Sequence, residues 1–133
     1  MIIGLGTDIV ENDRIASLYR KHRNRFLHRI YTDDEIKYAE EHIDPIPYLS
    51  ARFAAKEALI KCLNLTGRPT AGISLKDVEV AGRYFGKKRI VLWGNTKEIA
   101  RKMGAVNVHL SLSHTETFSM AVVILESAEA TQK

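Results

Sequence analysis

Between Phe53 and Leu63, every residue that is not charged is apolar. In an α-helix, at about 100° per residue, these side chains surround almost the whole axis and leave no broad polar face. A helix of this kind is stable only when other elements cover it. The segment therefore predicts a central, buried helix from about Tyr48 to Leu63. The apolar residues are Phe53, Ala54, Ala55, Ala58, Leu59, Ile60, Cys62 and Leu63.

Three charged side chains, Lys56, Glu57 and Lys61, interrupt this apolar helix. Glu57 and Lys61 are four residues apart and therefore neighbours on one helix face. A simple surface ion pair would contribute only on the order of a few tenths of a kcal/mol. Burying charge is costly unless the charge is paired or engages a ligand. An ion pair and a ligand site thus remain as alternatives.

Asp8 is a second charged residue in an unexpected position. Aspartate is disfavoured in strands, yet Asp8 lies between the apolar residues Ile2, Ile3 and Leu5 on one side and Ile9 and Val10 on the other. A helix N-cap is one explanation, although Asn12 and Asp13 are better placed for it. Two carboxylates from separate elements, with a lysine one turn from one of them, would suit a hard cation that holds phosphate oxygens.

The rest of the chain predicts alternating strands and helices. Strands are expected at Met1–Thr7, Asp77–Val80, Arg89–Trp93, Val106–Leu112 and Phe118–Leu125. Helices are expected after a cap at Asn12 or Asp13, after Thr32 as far as Glu41, over Tyr48–Leu63, and from a cap at Asn95 or Thr96 to Met103. The segment Asn64–Gly72 predicts a loop.

These elements indicate a single α+β domain with helices packed on an antiparallel sheet. The domain is expected to span residues 1–126, and residues 127–133 to form a frayed tail. The last strand, Phe118–Leu125, is apolar on both faces, which is typical of a central strand that needs two covers.

The 133-residue length fits one domain, and the single Cys62 cannot form an internal disulfide. On this apolar helix Cys62 is expected to be a buried structural thiol. The start of the chain lacks a secretory-signal pattern, and no apolar run approaches the roughly 20 residues of a membrane span. We therefore expect a cytoplasmic protein that does not enter the membrane. The net charge of +4 favours a polyanionic substrate or partner.

The positive charge is concentrated between Arg14 and Thr32, where no acidic residue occurs. The spacing of Ile15, Leu18, Tyr19, His22 and Phe26 predicts a helix with these side chains inward and the basic residues outward. The following segment, Asp33–Asp44, is acidic, so two solvated and mutually neutralising helix faces are an alternative to a binding surface.

Three blocks of the sequence resemble the holo-acyl-carrier-protein synthases, which are small single-domain phosphopantetheinyl transferases. They are Ile3–Glu11 (IGLGTDIVE), Arg52–Ala58 (RFAAKEA) followed by Lys61, and Ser111–Thr115 (SLSHT). Their order and spacing match the family over nearly the whole chain. The departure is at Asn64–Gly67, where the family has a glycine-rich turn.

The resemblance implies a 4′-phosphopantetheinyl transferase-like fold and transfer of 4′-phosphopantetheine from coenzyme A to a serine of acyl carrier protein. Adenosine 3′,5′-bisphosphate would be released, and the product would be holo carrier protein for fatty acid synthesis. The implied metal is Mg²⁺, with Mn²⁺ as the alternative, and the implied assembly is a homotrimer.

The resemblance also assigns roles to particular residues. Asp8 and Glu57 would bind the metal, and one of them, or a metal-bound water, would take the serine proton. Lys61 would assist the leaving phosphate. The expected catalytic residues are thus Glu57, Lys61 and Asp8. The expected coenzyme A contacts are Lys61, His114, Thr115 and Arg52, and the expected contacts to the acidic carrier protein are Arg14, Lys21 and Arg25.

A small basic nucleic-acid-binding domain without catalysis is the alternative, because phosphate contacts would also explain the basic helix. This alternative leaves Asp8 and Glu57 without a role.

Overall fold

The computed structural model describes residues 1–63, 73–82 and 87–128. Within them the strands are β1 (Ile2–Glu11), β2 (Val78–Ala81), β3 (Arg89–Leu92), β4 (Ala105–His114) and β5 (Phe118–Ser127). The α-helices are α1 (Asn12–Ile30), α2 (Asp33–Glu40), α3 (Ile46–Cys62) and α4 (Gly94–Met103), and a 3₁₀ turn covers Leu75–Asp77. The predicted loop 64–72 and residues 129–133 of the predicted tail lie outside the described residues. Ser127, which the sequence assigned to the tail, is the last residue of β5.

The main sheet is antiparallel, with β5 in the centre between β1 and β4. Ala121 of β5 lies opposite Asp8 of β1 on one side and Leu112 of β4 on the other. The strands β2 and β3 form a separate antiparallel pair. The predicted α+β class, the antiparallel sheet and the central position of the last strand are therefore confirmed.

Helix α3 packs across one face of this sheet, and Ala54, Ala55, Ala58, Leu59 and Cys62 are completely buried. The prediction of a central helix is confirmed. It begins two residues before the predicted start because Pro47 occupies the first turn, where proline fits without breaking a hydrogen bond.

Two glycines of β1 allow α3 to lie unusually close to the sheet. A Cβ atom at Gly6 would be 2.0 Å from the carbonyl oxygen of Ala58, and one at Gly4 would be 2.5 Å from that of Cys62. No larger residue fits these positions without moving the helix away from the strand. The backbone of α3 therefore rests directly on β1.

The opposite face of the sheet carries exposed apolar side chains. Leu5 and Ile9 of β1 are each 64% exposed, and Phe118 and Met120 of β5 are 41% and 39% exposed. The strand register places these four residues on the face away from α3. Among the described residues, no helix covers this face.

The charged Lys56 of α3 is completely buried and paired with Glu35 of α2 at 2.7 Å. Its ammonium also donates to the carbonyl oxygens of Leu75 and Val78, while Glu35 accepts hydrogen bonds from the backbone N–H groups of Val80 and Thr32. This pair ties α2, α3 and β2 together. Thr32 and Glu35 also form a reciprocal capping box at the start of α2.

Several local predictions were wrong. Strand β1 continues through Asp8 to Glu11 instead of ending at Thr7, because the Asp8 carboxylate is paired with a lysine of α3. The backbone at His22 (φ −136°, ψ 37°) interrupts α1, so the inward stripe shifts and His22 is exposed. Neither Asn12 nor Asp13 caps α1, whose N-cap is Glu11 without a side-chain bond.

The predicted cap of α4 was also wrong. This helix starts at Gly94, where a φ of +55° turns the chain. Its N-cap Trp93 makes no side-chain capping bond, and the indole Nε1 atom donates instead to the Glu79 Oε1 atom at 3.2 Å. Thr96 is instead buried inside the fold. None of the helices in the described parts of the chain is long and apolar enough to cross a bilayer.

Candidate active site

The side chains of Asp8 and Lys61 meet where β1 passes beneath α3. The Lys61 Nζ atom donates a hydrogen bond to the Asp8 Oδ1 atom at 3.0 Å and another to the Thr7 carbonyl oxygen at 2.8 Å. The side chain of Asp8 is 18% exposed and that of Lys61 is 55% exposed. The ion pair therefore lies at the edge of the core, open to solvent on the lysine side.

Glu57 completes this group one helical turn before Lys61. Partial burial is the main cause that raises the pKa of the Glu57 carboxyl group, and the negative charge of Asp8 raises it further. The positive charges of Lys61 and Arg14 act in the opposite direction. Glu57 is a neighbour of Lys61 on one face of α3, and Lys61 bonds to Asp8, so the two carboxylates belong to one group although they are far apart in sequence.

This carboxylate pair suits a magnesium ion. No cluster of three His, Cys, Asp or Glu residues that could hold a metal occurs among the described residues. Magnesium typically uses only one or two protein carboxylates and completes its shell with water and substrate phosphates. Asp8 and Glu57 supply two hard carboxylate oxygen donors, so the donor set fits this ion when a phosphorylated substrate is present.

Arg52 lies at a separate cavity of about 290 Å³, which also has His114 on its wall. The Arg52 side chain is buried, its guanidinium carbon is 4.4 Å from the centre of the Tyr38 ring, and its Nε atom has no hydrogen-bond partner. Burial lowers the pKa of Arg52, whereas the nearby Glu35 charge raises it. The positive charge of Arg52 at the cavity wall suits an anionic group.

The same cavity contains groups that the sequence reasoning did not single out. The Lys88 Nζ atom is 5.4 Å from the centre of the Tyr38 ring. The rings of His42 and Tyr48 stack with their centres 3.6 Å apart. The signal that could have indicated an aromatic wall was the nearness in sequence of Tyr38, His42 and Tyr48, although His42 lies beyond the end of α2.

His114 is the last residue of β4 and lies at the tip of the β4–β5 hairpin. It lines both the Arg52 cavity and a larger cavity of about 660 Å³, where Thr115 and Arg20 are also found. The Thr115 hydroxyl accepts hydrogen bonds from the backbone N–H groups of Thr117 and Phe118. Thr115 therefore closes the turn, and its contact with coenzyme A stays a prediction.

The basic residues of α1 do not all lie on one surface. Arg14 and Arg25 border a groove of about 440 Å³ between α1 and α3, with Leu18, Phe26 and Phe53 on its walls. Lys21 is exposed but does not border this groove. Arg29 does border it, although the sequence reasoning did not select it. Its spacing of four residues from Arg25 was the signal that could have found it.

Comparisons with known proteins agree with this arrangement. Residues 4–123 match the family model of the 4′-phosphopantetheinyl transferase superfamily. The holo-[acyl-carrier-protein] synthase of Leptospira biflexa is 46% identical over 123 residues, which cover 92% of this chain and 95% of that protein.

Two solved structures extend the comparison to the fold. The crystal structure of holo-ACP-synthase from Plasmodium yoelii is 31% identical, with a TM-score of 0.81, and the match covers 97% of this chain and 98% of that one. The Bacillus anthracis synthase, solved in complex with coenzyme A (3′,5′-ADP), is 32% identical with a TM-score of 0.73 and coverage of 96% and 99%.

Proposed function

Because this chain belongs to the 4′-phosphopantetheinyl transferase superfamily and is an enzyme of the holo-[acyl-carrier-protein] synthase type, we propose that it transfers 4′-phosphopantetheine from coenzyme A to a serine of acyl carrier protein. The observation that carries this proposal is the meeting of Asp8, Glu57 and Lys61 from β1 and α3. A cation pocket beside a phosphate-stabilising lysine is what cleavage of a pyrophosphate requires.

In the proposed reaction, the serine oxygen of the carrier protein attacks the phosphorus atom that bears pantetheine. The bond from that phosphorus to the bridging oxygen breaks, and adenosine 3′,5′-bisphosphate leaves with the electron pair. The serine proton passes to Asp8 or Glu57, directly or through a water molecule. Bound Mg²⁺, or Mn²⁺ in its place, would neutralise negative charge on the reacting phosphates.

Lys61 is the candidate to stabilise the leaving phosphate oxygen. An ammonium group has three N–H donors, and the hydrogen bonds to Asp8 and Thr7 use two of them. The Asp8 bond holds the lysine beside the metal-binding carboxylates. Lys61 can therefore reach a substrate phosphate with its remaining donor, or release a proton to the leaving oxygen.

The cavity of Arg52 and His114 is the proposed place for other anionic parts of coenzyme A. Arg52 and Lys88 place two positive charges on the wall of this cavity. The solved complex of the Bacillus anthracis relative with coenzyme A supports this substrate. The expected contributions of Thr115 and of residues in the 64–72 loop stay predictions.

The groove bordered by Arg14 and Arg25 is the proposed docking surface for acyl carrier protein. Its rim is basic and its floor is formed by Leu18, Phe26 and Phe53. An acidic helical partner with an apolar contact would be complementary in both respects. Lys21 lies outside the groove, so its predicted contact would be peripheral.

A homotrimer with active sites at the subunit interfaces is proposed from the family resemblance. The exposed apolar face formed by Leu5, Ile9, Phe118 and Met120 supports an assembly, since this face has no cover among the described residues. Light scattering should give three times the mass of the chain. An active monomer at the working concentration would contradict this proposal. A cytoplasmic location and a role in fatty acid synthesis also stay predictions.

Two measurements test the activity itself. Coenzyme A with Mg²⁺ should raise the melting temperature, because a ligand that binds only the native state stabilises it by mass action. A single-stranded oligonucleotide should not raise the melting temperature. This result would distinguish a phosphopantetheinyl transferase from a nucleic-acid-binding domain. Mass spectrometry of apo carrier protein should then show the pantetheine adduct. Failure to form the adduct, with coenzyme A and Mg²⁺ at saturation, would refute the proposal.

A further inference from the structure

Asn12, the first residue of α1, is buried and holds the exposed β4–β5 hairpin. Its side-chain Nδ2 atom donates hydrogen bonds to the carbonyl oxygens of Thr115 at 3.0 Å and Glu116 at 3.1 Å. Its backbone N–H donates to the carbonyl oxygen of Thr117 at 2.9 Å. One residue thus binds three consecutive carbonyl groups of the turn, from more than one hundred positions away in sequence.

The remaining polar atom of the Asn12 side chain is also used. The Ser119 hydroxyl donates to the Asn12 Oδ1 atom at 2.7 Å, and Ser119 is completely buried. The hairpin carbonyl groups can only accept hydrogen bonds, so they fix the Nδ2 side of the amide toward the hairpin and leave the Oδ1 atom for the Ser119 hydroxyl. Both the donor and the acceptor of the Asn12 amide therefore have hydrogen-bond partners, as buried polar groups require.

The hairpin that Asn12 holds carries two residues expected to contact coenzyme A. His114 directly precedes the bound carbonyl groups, and it lines both the Arg52 cavity and the larger cavity of about 660 Å³. Residues 113–118 are all exposed, and an exposed hairpin tip with so little packing would ordinarily open and close locally. Holding the tip in one position before binding removes an ordering cost that the substrate would otherwise meet.

We propose that Asn12 is a positioning residue that fixes the β4–β5 hairpin, and with it His114 and Thr115, for coenzyme A. This inference rests on the proposed function. The role differs from that of a helix cap, because the side chain of Asn12 bonds to the hairpin and not to its own helix.

Two single substitutions separate positioning from stability. Asn12→Asp keeps the shape and the Ser119 bond, but it turns a carboxylate oxygen toward the carbonyl groups of Thr115 and Glu116 and so releases the hairpin. Ser119→Ala is the matched control, because it also removes a buried hydrogen bond but leaves both hairpin bonds in place. Both should lower the melting temperature.

The two variants should differ in steady-state kinetics. For Asn12→Asp we expect the KM for coenzyme A to rise about tenfold, because the hydrogen bonds that order the hairpin are lost. The KM for carrier protein should stay within about twofold of the wild-type value. For Ser119→Ala, both KM values should stay within about twofold of the wild-type values. The coenzyme A-induced rise in melting temperature should shrink only in Asn12→Asp.

A double variant covers the case in which Asn12→Asp does not fold. In Asn12→Leu with Ser119→Ala, both polar partners are replaced by apolar groups, which can leave stability nearly unchanged. It should melt close to the wild type and still have a raised KM for coenzyme A. If it fails to fold, Asn12 is a folding residue and the assignment is overturned.

Three further results would overturn the assignment. They are an unchanged KM for coenzyme A in a folded Asn12 variant, an equal rise in Ser119→Ala, or an equal rise for both substrates. A wild-type enzyme that neither binds coenzyme A nor modifies carrier protein would refute the proposed function itself. An active wild type with unaffected variants would refute only the role of Asn12.

Discussion

Replacement of Gly6 by alanine should move Asp8, on β1, away from Glu57 and Lys61, on α3. The new Cβ atom would be 2.0 Å from the Ala58 carbonyl oxygen, whereas such contacts are essentially never shorter than 3.0 Å. The clash is with helix backbone, so no side-chain rotation can relieve it. Strand β1 and helix α3 must therefore move apart by about 1 Å.

This movement is large compared with the tolerance of the site. The Lys61 Nζ atom is 3.0 Å from the Asp8 Oδ1 atom, and a further 1 Å would break that hydrogen bond. Asp8 moves with the strand, while Glu57 and Lys61 move with the helix. A misplacement of this size costs about 10²-fold in rate, and the overpacked interface should cost about 1–3 kcal/mol of unfolding free energy.

The measurements are kcat at saturating substrates, Mn²⁺ binding by electron paramagnetic resonance, and the free energy of unfolding in urea. Gly6→Ala should bind Mn²⁺ more weakly even where it is fully folded. Gly4→Ala is the matched control, because its Cβ atom would be 2.5 Å from the Cys62 carbonyl oxygen and needs only about half the displacement, farther from Asp8.

The two glycine variants should therefore lose stability to different degrees, and only Gly6→Ala should lose most of its metal affinity. If Gly6→Ala keeps its Mn²⁺ affinity and a kcat within about threefold of the wild type, the close approach at Gly6 does not set the geometry of the site. Equal losses of Mn²⁺ affinity in both variants would point to a general loosening of β1 instead.

Three other predictions follow from the site and its surroundings. Asp8→Asn and Glu57→Gln should each lower kcat at least about 10²-fold with little change in melting temperature, because each removes an anionic metal ligand but keeps its shape; near-normal turnover at saturating Mg²⁺ would exclude that residue as a ligand. Arg25→Glu should raise the KM for carrier protein about tenfold and weaken its salt dependence, whereas Lys21→Glu, outside the groove, should change it less than about twofold; equal effects would refute the groove as the docking surface. Burial raises the pKa of the Cys62 thiol to about 11, so at pH 8 it stays protonated and should react with Ellman's reagent only after unfolding; rapid reaction of the native enzyme would show that the thiol is accessible.

The fold could be predicted from sequence wherever one local pattern determined one element. The apolar segment of α3 and the double-sided apolar pattern of β5 correctly indicated the two central elements. The helix boundaries that failed depended on distant partners. Asn12 has the chemistry of an N-cap, but a hairpin more than one hundred residues later provides its hydrogen-bond acceptors.

The interruption of α1 was also invisible in the sequence. A regular 3.6-residue period continues through His22, and nothing local marks that residue as a break. Arg14, Arg25 and Arg29 border the groove, whereas Lys21 does not. Charge alone therefore predicted a basic helix but not which of its residues share one surface.

The charged residues of α3 show why the candidate site could be predicted only in part from the sequence. Lys56, Glu57 and Lys61 raised the same question in the sequence, since all three interrupt an apolar helix. The structure divides them: Lys56 faces α2 and β2 and is completely buried with Glu35, whereas Glu57 and Lys61 face Asp8. A residue-type argument cannot make this division, because it depends on which element packs against each helix face. What determines it is the close contact at Gly6, which places Asp8 within reach of Lys61 and leaves Lys56 on the opposite side.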